Sequence, residues 1–76
     1  MIVHGRDTFD FHSTIDRQMG SSSTELRREK HGQWQVVAKI TYWDAMGQYI
    51  LDFSEQVPVD VMQLLIQKAK QNNEGL

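Results

Sequence analysis

Cysteine is absent from this 76-residue sequence, and proline occurs only once. The chain therefore forms no disulfide and offers no thiolate to a metal, although these are the usual supports of domains this small. Packing and association with another chain are the remaining sources of stability. A reducing compartment is the easier interpretation of a chain without cysteine.

A strong charge of one sign and a long apolar run are lacking as well. Eight basic residues against ten acidic ones give a net charge of −2, far from the basic excess of a dedicated nucleic-acid binder. No segment approaches the about 18 consecutive apolar residues that span a bilayer, and residues 1–7 lack the apolar core of a secretory signal. We therefore expect a cytoplasmic protein with no membrane partner.

The motifs of catalysis and of cofactor binding are also missing. No glycine-rich phosphate-binding pattern occurs, and the three histidines do not stand at the spacing of a metal-ligand motif. Asp44, Asp52 and Glu55 suit turns and solvation better than acid/base chemistry, and the serines at 21–23 suit a linker. We expect no enzymatic activity, no cofactor and no metal.

The clearest pattern that is present is a strand over residues 34–43, which are rich in β-branched and aromatic types. Strict alternation divides it into two faces. One face, predicted to point inward, carries Trp34, Val36, Ala38, Ile40 and Tyr42. The other, predicted to point outward, carries Gln35, Val37, Lys39, Thr41 and Trp43.

Turn signals place two more strands beside this one. Asp44 and Gly47 favour a turn, after which residues 48–54 alternate as a second strand with Tyr49, Leu51 and Phe53 inward. The polar residues 24–30 precede a His31-Gly32 turn and suit an edge strand. A short alternation around Phe9 and Phe11 would add a fourth strand.

These elements predict an α+β fold, a three- to four-stranded antiparallel meander packed against one C-terminal helix. We expect residues 1–76 to form a single domain, in which 1–23 are either partly disordered or a short extra strand. Residues 24–54 are predicted to form the sheet and 58–72 the helix, because Pro58 suits the first helical turn.

The predicted helix has an unusually wide apolar circumference. Its polar residues recur at three- and four-residue steps and form one narrow stripe, namely Asp60, Gln63, Gln67, Lys70 and Glu74. A helix on one sheet needs an apolar arc of a little over about 100°. Because this arc is wider, we expect a second surface to cover part of it.

The leading hypothesis is therefore a non-enzymatic protein-protein interaction module, a regulator or inhibitor that forms a homodimer through its helix. The contact on the helix would be lined by Val59, Met62, Leu65 and Ile66. A second candidate surface on the open face of the sheet would consist of Trp43, Val37 and Ile50.

The alternative is a nucleic-acid-binding domain that uses the sheet face. In it Arg27, Arg28, Lys30 and Lys39 would hold phosphates and Trp43 would stack on bases. In pattern, over residues 26–71, a W…YWD…G…F series on strands followed by a helix resembles the AP2-like arm-binding domains of some phage integrases. That resemblance implies DNA contact through the sheet, but this sequence lacks the strongly basic sheet of such domains.

Overall fold

The computed structural model describes residues 1–74, which form one antiparallel sheet and one helix. The strands follow one another in chain order: β1 (Ile2–His4), β2 (Asp7–Asp16), β3 (Ser21–Lys30), β4 (Gln33–Trp43) and β5 (Gln48–Phe53). The helix α1 (Val59–Glu74) comes after them. The α+β meander closed by a C-terminal helix is confirmed, with five strands in place of the predicted three to four.

The additional strand pairing lies in the first third of the chain. β2 has ten residues and pairs with β3 on one side and with the three-residue β1 on the other. Residues 21–23, expected in a linker, belong to β3 and pair with residues 14–16 and 41–43. Serine has little preference for a strand, but hydrogen bonding to neighbours on both sides satisfies its backbone groups and overrides that preference.

Two short turns set the register of the three C-terminal strands. His31 and Gly32 both have positive φ, 54° and 79°, and join the paired residues Lys30 and Gln33 as a two-residue hairpin turn. In the next turn the carbonyl of Trp43 accepts hydrogen bonds from the amides of Met46 and Gly47. Both turns were predicted from their glycines.

A β-bulge in β4 changes the predicted inward face. Leu26 pairs with Ala38 whereas Arg27 pairs with Val36, so Val37 is an extra residue without a partner on β3. Val37 and Ala38 consequently point to the same side and both are buried. The residues of β4 before the bulge are shifted by one, and the prediction that Trp34 and Val36 face inward is wrong.

The core lies between one face of the sheet and α1. Val61, Leu65 and Ala69, spaced four residues apart, form the buried side of α1. They pack with the buried sheet residues Phe9, Leu26, Val37, Ala38 and Ile40. Near the C-terminal end of α1 the side-chain amide of Asn72 donates to the hydroxyl of the buried Thr24 at 3.1 Å. α1 therefore lies mainly over β3 and β4.

Candidate protein-binding surface

An apolar surface remains exposed where the sheet extends beyond α1. The side chains of Tyr49, Leu51 and Phe53 alternate along β5 on the same face as α1, and 40%, 40% and 63% of their surfaces are exposed. Met62 and Ile66 of α1 face the same region. We call these five residues the β5 strip.

The β5 strip contains a small depression between the helix and the strand. Its volume is about 110 Å³, and its lining is Ile40, Tyr49, Leu51, Ile66 and Lys70. Sites for small molecules have volumes of about 300–1,000 Å³. The depression is therefore of a size for one or two side chains from another protein.

Tyr49 is held in place by the neighbouring strand. Its ring centroid lies 4.8 Å from that of Tyr42, with a tilt of 51° between the ring planes. This is the separation of a favourable aromatic pair on adjacent strands. One end of the β5 strip is thus a preorganised aromatic surface, which lowers the entropy lost when a partner binds.

The four helix residues of the predicted contact divide between core and surface. Val59 and Ile66 are 71% and 37% exposed, whereas Met62 is half-buried against the core. Leu65 is fully buried by the chain itself and does not belong to any free surface. The prediction that Leu65 belongs to the contact is wrong, because Val61, Leu65 and Ala69 form the side of α1 that packs on the sheet. Ile66 lies at the edge of that buried side and stays partly exposed.

The second predicted surface, on the open face, also changes. Val37 is only 1% exposed because the bulge turns it into the core, and Trp43 and Ile50 are half-buried. Trp34 and Val36, 45% and 43% exposed, take its place on the open face. The sequence pattern did not predict that Val36 and Val37 exchange faces, because a bulge leaves no signal in an otherwise regular alternation.

The basic residues of the nucleic-acid hypothesis do not lie together. Strand alternation places Arg27, Lys39 and Trp43 on the open face, and Arg28 and Lys30 on the helix side. Arg27 pairs with Glu25 at 2.8 Å, and the largely buried Arg28 forms an ion pair with Glu55. Two of these four cations are therefore already engaged by carboxylates.

Charges of opposite sign lie side by side in a row across the open face. One row across four strands reads His12, Glu25, Lys39 and Asp52, and the registers place them side by side. Cross-strand pairs of opposite charge stabilise a solvent-facing sheet. Among residues 1–74, the open face therefore carries no basic stripe that would follow a phosphate backbone.

No metal-binding group of side chains is found within residues 1–74. No group of three or more His, Asp or Glu side chains in that part of the chain is arranged to hold a metal ion. The larger depressions are wide and open, including one of about 640 Å³ beside the Arg28–Glu55 pair. In the same residues no helix has the length and apolar character to cross a membrane.

Comparisons with known proteins add no functional information. No protein-family model matches the chain, and neither a curated protein nor a solved structure is significantly similar to it. The functional argument therefore rests on the surface described above.

Proposed function

We propose that this chain is a non-enzymatic protein-interaction module, a small regulator or inhibitor that self-associates through the β5 strip and the adjoining side of α1. The observation that carries the proposal is the row of large apolar side chains along β5 that α1 does not cover. Contiguous apolar surface beside a preorganised aromatic pair is typical of protein interfaces.

The area of the β5 strip sets the expected strength of self-association. Tyr49, Leu51, Phe53 and Ile66 together expose roughly 300 Å² per copy, if a fully exposed large side chain presents about 150–200 Å². Burying this area on two copies gives about 15 kcal/mol at ~25 cal/mol per Å². Association itself costs about 4–15 kcal/mol. We therefore expect a weak dimer with a Kd in the micromolar to millimolar range.

The proposal is tested by the solution mass of the purified chain, measured by light scattering or sedimentation from roughly 10 µM to 1 mM, which spans the expected Kd. The mass should rise from one copy towards two. Phe53→Lys should keep the protein monomeric throughout this range, because the change places a charge within the apolar contact.

Val36→Lys is the matched control, because Val36 is also an exposed apolar strand residue but lies on the opposite face. This variant should dimerise like the original chain. A wild-type mass of one copy at every concentration would refute self-association, and loss of the dimer in Val36→Lys alone would move the interface to the open face. Circular dichroism verifies that both variants are folded.

A further inference from the structure

β5 ends the strand order of the sheet and lacks the usual features that prevent edge pairing. Exposed edges are normally blocked by proline, lysine, a bulge or shortness. β5 contains no proline and no lysine, and its one charged residue, Asp52, belongs to the open face. The opposite edge is formed by the three-residue β1 and by residues 10–16 of β2, which have no strand on their outer side within the described residues. That stretch of β2 carries Asp10, His12 and Asp16, and the amide of Phe11 already donates to the side chain of Asp10. Of the two edges, β5 therefore has fewer charged residues that would discourage pairing with another strand.

Hydrogen bonding in the β4–β5 pair shows which backbone groups point outward. The amide of Ser54 donates to the carbonyl of Val37 at 3.0 Å. Because the direction of these groups alternates along a strand, Asp52 and Ile50 also bond towards β4. The amide and carbonyl groups of Leu51 and Phe53 therefore point away from the sheet, available to a strand laid beside β5.

On the basis of the self-association proposed above, we propose that the partner on the β5 edge is a second copy of this chain. The two β5 strands pair antiparallel about a two-fold axis at Leu51. This register places Leu51 opposite Leu51 of the second copy and Tyr49 opposite its Phe53. All of these side chains lie on the helix side, so the two β5 strips become continuous. The two five-stranded sheets join into one.

Charge and symmetry favour this occupant. Asp52 falls opposite Ile50 of the second copy, so no like charges meet at the junction. Pairing of β5 with β5 closes after two copies, whereas pairing of β5 with β1 would continue into an open-ended filament. Edge pairing sets the two β5 strips side by side and covers the flanks of their side chains, not their full exposed area, so the new backbone hydrogen bonds supply part of the association free energy.

Single cysteines test the geometry cleanly, because the chain contains no other thiol. In the proposed register Leu51 and its copy exchange both backbone hydrogen bonds. The Cα atoms of such a pair lie about 5.5 Å apart, within the range of a disulfide. Leu51→Cys should therefore cross-link two copies under mild oxidation. The rate should exceed that of Val3→Cys, an exposed position on β1, by about tenfold or more, since pairing raises the local thiol concentration.

Ile50→Cys and Val59→Cys distinguish the competing arrangements. Faster cross-linking at Ile50 than at Leu51 would overturn the register, and faster cross-linking at Val59 would indicate a contact between helices. In either case a dimer by mass would leave the proposed function standing. A wild-type chain that is monomeric by mass at 1 mM would refute both proposals. Circular dichroism confirms that each reduced variant is folded.

Discussion

The adjacent valines of β4 provide the sharpest test of the fold, because they differ in burial but not in chemistry. Val37 is 1% exposed and Val36 is 43% exposed. The bulge alone causes this difference, since regular alternation from the buried Ala38 and Ile40 would bury Val36 and expose Val37. We therefore expect Val37→Ala to destabilise the protein much more than Val36→Ala.

The expected magnitude follows from the atoms removed. Val37→Ala removes two buried methyl groups, and this costs about 1.6 kcal/mol in transfer free energy, at about 0.8 kcal/mol for each group. A residual cavity of about 40 Å³ adds about 1 kcal/mol at ~24 cal/mol per Å³. Val37→Ala should thus cost about 2–3 kcal/mol, and Val36→Ala less than about 1 kcal/mol, mainly through lower strand propensity. For comparison, the whole free energy of unfolding of a 76-residue domain is about 4–11 kcal/mol.

Urea unfolding followed by tryptophan fluorescence and circular dichroism measures both losses. With a slope of about 1 kcal/mol per M, Val37→Ala should lower the midpoint by about 2–3 M. The protein concentration should be a few micromolar or less, so that self-association does not contribute. Equal losses, or a larger loss for Val36→Ala, would show that the strand alternates without a bulge and that the deduced faces are wrong.

Two further predictions concern α1 and the loop before it. Leu65→Ala should lower the free energy of unfolding by about 3–4 kcal/mol, because Leu65 is fully buried. Leu64→Ala should lower it by less than about 1 kcal/mol, because Leu64 is exposed. Equal losses would contradict the orientation of the helix. Glu55→Gln should cost about 1 kcal/mol by leaving the largely buried Arg28 without its carboxylate. The same Glu55→Gln change should cost less in a chain that already carries Arg28→Met. A double-mutant cycle that shows no coupling between the two positions would contradict the ion pair.

The sequence predicted most of the C-terminal hairpin and helix from local chemistry. The alternation of residues 48–53, the glycine turn before them and the proline just before α1 are signals carried by a few adjacent residues. The extent of β2 and β3 was not predictable in the same way. Residues 21–23 form a strand only because they have neighbours on both sides.

The candidate binding surface was predicted in part. The wide apolar circumference of α1 correctly indicated that Ile66 and Val59 are not covered by the sheet. The exposure of Tyr49, Leu51 and Phe53 was missed, because their alternation marks them as core residues. Nothing in their own segment shows that the helix lies over β3 and β4 instead of over β5.

The sequence by itself determined the class of fold and the positions of the turns, because hydrophobic periodicity, glycine conformation and proline geometry act between neighbouring residues. The tertiary structure alone decided which apolar residues are buried. One extra residue in β4 exchanged the environments of Val36 and Val37, and the lateral position of a single helix left the β5 strip exposed. Both outcomes depend on contacts between distant parts of the chain, which local patterns do not encode.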